Sequence, residues 1–157
     1  AKSGLEAEII LKVNALTAPQ LIQKLYQASM AGVKVNLIVR GICCLKPGIK
    51  GISDNINVVS IIGRFLEHSR AYYFNNAGDA RLYLASADIM ERNLYQRVEV
   101  AFPVLASEAR DSILKELNLM LEPHQQYWKL HSNGKYQLLD SELDFKVQDK
   151  LLEQLSV

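Results

Sequence analysis

Hydrophobic and polar residues near the start of the chain follow the pattern of a strand, a helix and a second strand. Residues 8–14, EIILKVN, predict a buried strand, and the segment from Thr17 to Gly32 carries its apolar residues at helical spacing. Thr17 followed by Gln20 predicts a capped helix start. Residues 33–39, VKVNLIV, predict a strand that is covered on both faces. This order favours a right-handed parallel crossover.

The rest of the chain continues the alternation of strands and helices. Residues 40–55 predict mostly loop, because Pro47 and three glycines interrupt the hydrophobic pattern. The other predicted elements are short strands at 56–62, 70–75, 81–86 and 97–102, a helix from Glu108 to Leu121, a tight hairpin at Asn133 and Gly134, and a terminal helix from Leu143 to Leu155. Together these elements predict one α/β domain over residues 1–157.

Composition is compatible with this reading, and charge adds one local feature. The chain has 157 residues, 49% of them hydrophobic, and a formal net charge of +1, so nothing global indicates a nucleic-acid partner. Between Lys34 and Arg70, however, six basic residues stand against two acidic ones. If the fold brings those basic groups together, they make an anion site.

The cysteines and the hydrophobic runs limit the compartment. Cys43 and Cys44 are adjacent, which is poor geometry for a structural disulfide and gives no metal-ligand spacing. We therefore expect a reducing, cytoplasmic compartment. No apolar run has the length of a membrane span, so no transmembrane segment is predicted, while peripheral membrane association is left open.

Two segments carry candidate phosphate chemistry. Arg40 follows the second predicted strand, and the carboxyl ends of strands in open α/β sheets are where ligands bind. The segment GRFLEHSR, residues 63–70, places His68 between two arginines. Phosphoryl transfer requires cations for the phosphate oxygens and a group that titrates near neutral pH. On spacing alone, a structural histidine is the simpler interpretation. Asp88 is interpreted either as a turn cap or as a residue that orients a neighbour.

Three segments together resemble a known family. VRGICCLKPG (39–48), GRFLEHSR (63–70) and ASADIMERNLYQRVEV (85–100) resemble the last catalytic domain of bacterial polyphosphate kinase, which builds inorganic polyphosphate from ATP. The similarity runs from about Ile9 to about Leu139. It implies a phospholipase D-like fold, with a mixed sheet flanked by helices. The chain also lacks an initiator Met, so we expect the C-terminal domain of a longer protein.

The resemblance also implies roles for individual residues. Arg40 corresponds to an arginine that contacts the nucleotide phosphates. His68 corresponds to a histidine that binds near the transferred phosphate and acts as general acid or base. Glu99 corresponds to a carboxylate near that histidine, able to set its tautomer. Arg70 and Arg97 are expected to make additional anion contacts.

The remaining implications concern cofactors and partners. In the family, the phosphorylated histidine and the main magnesium contacts belong to the preceding domain, so this chain is expected to hold half of an active site and no metal ligands. The implied ligands are ATP or ADP and inorganic polyphosphate. The implied partners are the other domains of the same enzyme and further copies in a homo-oligomer. The chain alone is expected to be inactive.

Two alternatives stay open at this point. Phospholipase D-type hydrolases carry His-x-Lys, whereas His68, Ser69 and Arg70 stand here, so a single-motif phosphodiesterase that dimerises is one alternative. Arginine offers a planar fork suited to extended phosphate chains, which argues against hydrolysis. The other alternative is a non-catalytic module for oligomer assembly.

Overall fold

One mixed sheet organises the part of the chain that the structure, a computed structural model, describes: residues 4–139 and 145–155. The strands are β1 (Ala7–Val13), β2 (Lys34–Val39), β3 (Ile56–Ile61), β4 (Arg70–Asn76), β5 (Arg81–Ala85), β6 (Ala101–Pro103), β7 (Tyr127–Leu130) and β8 (Tyr136–Leu138). The helices are α1 (Pro19–Met30), α2 (Glu91–Tyr95), α3 (Ser107–Leu121) and α4 (Val147–Leu155).

The strand order decides where each loop emerges. The eight strands run β6-β5-β4-β1-β2-β3-β7-β8 across the sheet. β1, β2 and β3 are parallel, which confirms the predicted β1-α1-β2 crossover as a parallel one. β4 inserts beside β1 in the antiparallel direction, and β5 and β6 continue antiparallel beyond it. β7 and β8 extend the other side of the sheet.

The core lies on both faces of the central strands. Alternate residues of β1 point to opposite faces: Leu11 packs with α1 residues such as Ile22, whereas Ile10 packs with α3 residues such as Leu117. β2 repeats the division with Leu37 and Ile38. These strands are nearly continuous hydrophobic runs because helices cover both sides of the sheet.

Two sequence predictions about local structure are wrong. Thr17 does not cap α1, because the helix begins at Pro19 after Ala18, with no side-chain cap; proline suits the first helical position since it lacks an N–H. The predicted strand over 97–102 is only β6, and residues 91–95 form the short helix α2. The named strands end at the pair of Ala85 and Ala101, and beyond it Ser86 N donates to Val100 O (2.9 Å) while the Ser86 hydroxyl accepts from Val100 N (3.0 Å).

The predicted elements at the C-terminal end are largely confirmed. The hairpin of β7 and β8 turns at Asn133 and Gly134, with Gly134 at φ +80° and Asn133 Oδ1 accepting from Lys135 N at 2.9 Å. Helix α4 begins at Val147. The predicted start of that helix, Leu143, lies outside the described residues.

Candidate functional site

The sheet topology brings the predicted phosphate residues to one edge. The parallel strands β1 and β2 end there, at Val13 and Val39. β4 begins at the same edge, because Lys12 lies opposite Ala71, and β5 ends there, because Arg70 lies opposite Ala85. Segments that are far apart in sequence therefore meet. Arg40, His68, Arg70 and Glu99 all emerge along this edge, as the sequence predicts.

Asn14 connects two of these segments. It follows β1 and is 6% exposed. Its Oδ1 accepts a hydrogen bond from Arg40 Nε at 2.8 Å, and its Nδ2 donates to the carbonyl oxygen of His68 at 3.4 Å. Sequence analysis missed Asn14. Its signal was present, as a polar residue at the carboxyl end of a buried strand.

Arg40 is held so that its terminal nitrogens stay available. Its N–H donates to Val13 O at 3.2 Å, and its carbonyl accepts from Ser60 Oγ at 3.1 Å, which fix the backbone. Only Nε of the guanidinium has a hydrogen-bond partner among the described residues. The two terminal nitrogens form the fork that binds phosphate oxygens in pairs.

Arg70 and Asp88 form an ion pair that is mostly buried. Arg70 Nη2 lies 3.0 Å from Asp88 Oδ2, with side-chain exposures of 15% and 10%. Asp88 Oδ1 also accepts from Asn14 N at 2.7 Å. Burial raises the pKa of Asp88, but hydrogen bonds from Arg70 and Asn14 more than offset this, so its pKa lies below the usual value. Of the two interpretations offered for Asp88, the orienting role is confirmed.

His68 is exposed at the site and contacts Arg70. Arg70 Nη1 donates to the carbonyl oxygen of His68 at 3.0 Å and lies 3.3 Å from Nδ1 of the His68 ring. Because a guanidinium only donates, Nδ1 must accept in this contact, which places the proton of the neutral ring on Nε2. Nε2 has no hydrogen-bond partner among the described residues. The imidazole therefore presents Nε2 to a ligand.

Glu99 faces other partners than the sequence analysis expects. Its carboxylate accepts a short hydrogen bond from Ser86 Oγ and one of 2.6 Å from Asn93 Nδ2. These two hydrogen bonds lower the pKa of Glu99, with help from the charge of Arg97. Within residues 4–139 and 145–155, Glu99 makes no hydrogen bond to His68. Arg70, not Glu99, therefore orients the ring; the catalytic role of Glu99 stays a prediction.

Arg97 is the most open of the predicted anion contacts. It follows α2, is exposed, and makes no hydrogen bond or ion pair with any residue that the structure describes. Its charge acts on Glu99 from nearby. Its role as an anion contact stays a prediction.

The site does not fit a divalent cation. In the described portion of the chain, no three His, Cys, Asp or Glu side chains converge as metal ligands. The carboxylates described at this edge are already occupied, Asp88 by Arg70, Glu67 by Lys12, and Glu99 by Ser86 and Asn93. What remains free is cationic. The prediction that magnesium binds outside this chain stays a prediction.

Comparison with known proteins identifies the family. The family model described as "Polyphosphate kinase C-terminal domain 2" matches residues 1–149. The chain belongs to this polyphosphate kinase domain family. It is 52% identical over 159 residues to the polyphosphate kinase of Pseudomonas aeruginosa strain PAO1, covering 99% of this chain and 23% of that protein. The Prosthecochloris aestuarii polyphosphate kinase is 53% identical over 150 residues, covering 95% and 21%. The chain thus spans less than a quarter of these relatives' length.

Solved structures confirm the fold. The crystal structure of polyphosphate kinase from Porphyromonas gingivalis superposes with a TM-score of 0.93 at 37% identity, over 98% of this chain and 24% of that one. Nuc from Salmonella typhimurium, a phospholipase D family member, superposes with a TM-score of 0.61 at 16% identity, over 84% and 87%. The predicted phospholipase D-like mixed sheet is therefore confirmed for this polyphosphate kinase domain. No helix in its described residues is long and apolar enough to cross a membrane.

Proposed function

We propose that this chain supplies half of the active site of a polyphosphate kinase. In this reaction the γ-phosphate of ATP passes to a histidine outside this chain and then to the end of a polyphosphate chain. The observation that carries the proposal is the meeting of Arg40, His68 and Arg70 at one edge of the sheet, linked through Asn14 and Asp88. The family supplies the substrate class.

Each group has a distinct role in the proposal. The free fork of Arg40 binds non-bridging oxygens of the nucleotide and neutralises charge that builds up on them. Arg97 binds further phosphate groups of the polyphosphate. Arg70 is held by Asp88, and it orients the His68 ring through Nδ1. Glu99 accepts hydrogen bonds from Ser86, which follows β5, and from Asn93, which lies in α2. These contacts fix the segment after α2, so that Arg97 faces the same ligand.

The chemical step is the transfer of one phosphoryl group in two displacements. In the first, a P–N bond forms to the histidine outside this chain as the P–O bond to ADP breaks. In the second, a terminal polyphosphate oxygen takes the phosphoryl group and the P–N bond breaks. His68, through Nε2–H, donates a hydrogen bond to the departing ADP oxygen and stabilises the charge that develops on it. Magnesium, ATP and the remaining domains act from outside the residues described above.

The test is a pair of matched histidine variants in the polyphosphate kinase that contains this chain. His68→Ala is expected to lower kcat for polyphosphate synthesis by roughly 10² to 10³, the usual loss when one hydrogen-bond donor to developing charge is removed. His131→Ala, in the hairpin turn on the other side of β3, is the control and is expected to leave kcat unchanged. Full activity of His68→Ala would contradict the proposal and favour a non-catalytic module.

A second experiment tests the half-site with the 157-residue chain alone. We expect no sustained growth of short polyphosphate in the presence of ATP and magnesium. Chain growth by this chain alone would contradict the proposal. Hydrolysis of bis-(p-nitrophenyl) phosphate that disappears in His68→Ala would also contradict it, because a complete phosphodiesterase site would then be present.

A further inference from the structure

The loop that carries His68 is fixed by polar contacts from two distant elements. We call residues 63–69 the His68 loop. It contains no helix or strand, and its large apolar side chains are exposed, Phe65 by 42% and Leu66 by 68%. Hydrophobic burial therefore contributes little to its position. The contacts that remain are hydrogen bonds and one ion pair, and they decide where the imidazole lies.

The first of these elements is helix α4. Gln148, 3% exposed, accepts a hydrogen bond on Oε1 from Phe65 N at 2.9 Å and donates from Nε2 to Phe65 O at 2.8 Å. Its amide thus pairs with both backbone groups of one loop residue, as a neighbouring strand would. Nε2 also donates to Glu67 Oε1 at 2.8 Å. All three contacts span more than eighty residues of sequence.

The second element is strand β1. Lys12, 3% exposed, lies 3.1 Å from Glu67 Oε2 and donates to Ser69 Oγ at 2.7 Å. Glu67 therefore bridges Gln148 and Lys12 through its two oxygens, and both neighbours of His68 are tied down. A buried ammonium requires such a carboxylate, because an unpaired charge is costly to bury. This requirement makes the arrangement of the bridge specific.

The start of the loop shows how closely it approaches α4. Gly63 packs against the side-chain amides of Gln126 and Gln148, and a Cβ there would overlap both. Gln148 N also donates to Gln126 Oε1 at 3.3 Å, which holds the beginning of α4 in place. The loop, the helix and the segment before β7 thus form one polar contact surface behind His68.

We propose that Gln148 is a positioning residue for His68, so that helix α4 sets the placement of the imidazole at the edge of the sheet where β1 and β2 end. This inference rests on the proposed function and adds a residue to it. Gln148 touches no predicted ligand and acts only through residues 65–67. Removing the Gln148 amide leaves the sheet and the hydrophobic core on both of its faces intact. The His68 loop then samples other positions, since local openings occur where apolar contacts are few.

Gln148→Glu tests the proposal, with Gln154→Glu as the matched control. The first variant removes both donors and places a carboxylate against Phe65 O and Glu67. The second makes the same change on an exposed position of the same helix. In the 157-residue chain, we expect amide hydrogen exchange over 64–69 to be at least tenfold faster for Gln148→Glu and unchanged for Gln154→Glu. Unchanged exchange in a folded Gln148→Glu chain would overturn the proposal.

The kinetic measurement uses the intact polyphosphate kinase. We expect Gln148→Glu to lower kcat at least tenfold with the KM for ATP changed less than twofold, because Arg40 is not held by this network. A Gln148→Glu enzyme with normal kcat would contradict a positioning role.

A shorter side chain decides the matter if Gln148→Glu fails to fold. Gln148→Asn withdraws the amide by one methylene without adding charge, and it should show the same faster exchange and lower kcat. A folded Gln148→Asn chain with normal values for both would refute the inference. If His68→Ala keeps full activity, the proposed function fails instead. If His68→Ala is inactive while the Gln148 variants behave like Gln154→Glu, only the positioning role fails.

Discussion

Asp88 accepts hydrogen bonds from both Arg70 and Asn14 at the edge of the sheet where β1 and β2 end, so its removal tests the geometry of the site directly. It is 7% exposed. Asp88→Ala removes the acceptor for Arg70 Nε and Nη2, at 3.3 and 3.0 Å, and for Asn14 N at 2.7 Å. Nothing else among the described carboxylates is bonded to Arg70. The variant therefore leaves a mostly buried guanidinium without its carboxylate and a buried backbone N–H without a partner.

The size of the effect follows from these two losses. Breaking a buried ion pair by removing one partner costs about 3 to 5 kcal/mol, and the 15% exposure of Arg70 places this pair near the lower end. An unsatisfied buried N–H adds about 1 kcal/mol. We expect Asp88→Ala to lower the free energy of unfolding by about 4 kcal/mol in total. Asp88→Asn keeps one acceptor for Asn14 N and should cost about half as much.

Urea unfolding followed by circular dichroism measures this loss. With a slope of about 2 kcal/mol per molar urea, the midpoint should fall by about 2 M for Asp88→Ala and about 1 M for Asp88→Asn. Asp79→Ala is the control, because its ion pair with Arg81 has side chains 64% and 60% exposed and should leave the midpoint unchanged. A midpoint for Asp88→Ala equal to that of Asp79→Ala would refute the reasoning.

Three further predictions concern single groups. The folded-state pKa of Asp88 lies below 3.8, so its carboxylate stabilises the fold above that pH, and this stabilisation is lost as pH falls through the lowered pKa. The difference in free energy of unfolding between the wild type and Asp88→Asn should therefore narrow in acid. A difference that is unchanged at about pH 2 would contradict this. The Tyr136 hydroxyl is buried and has no hydrogen-bond partner within the residues that the structure describes, so the stability of Tyr136→Phe in urea should equal that of the wild type or exceed it by about 1 kcal/mol. A loss of that size would show that the hydroxyl has a partner. Burial raises the pKa of Cys43 to about 11, whereas Cys44 is exposed. At pH 8 a disulfide reagent should therefore react at least tenfold faster with the Cys43→Ser variant than with Cys44→Ser, and equal rates would contradict the burial of Cys43.

The predictions that held depend on patterns within one segment. The apolar run of β2 and the basic residue after it are adjacent in sequence, so Arg40 is predicted at a strand end without knowing the other strands. GRFLEHSR likewise puts His68 and Arg70 two residues apart, and the structure keeps them in contact. Such residues need only local chain geometry, and for that reason the sequence analysis finds them.

The predictions that failed depend on a competing neighbour. Thr17 has the spacing of a capping residue, but Pro19 is suited to start the helix by itself. The valines at 98 and 100 alternate as in a strand, yet β5 has ended and Ser86 engages the backbone of Val100 instead. In both cases the deciding residue, Pro19 or Ser86, plays no part in the pattern from which the prediction was made.

By itself, the sequence determined the kinds of most elements and which side chains are candidates for phosphate chemistry, because periodicity, turn residues and motif spacing act over short stretches of chain. Only the tertiary structure decided the pairing of charges. Asp88 rather than Glu99 pairs with Arg70, which contacts His68, since β4 lies between β1 and β5 and brings Arg70 beside the segment that follows β5. Gln148 reaches Glu67 from 81 residues away because α4 packs with α3 against one face of the sheet. Strand order sets such distances, and it arises from the packing of the whole sheet.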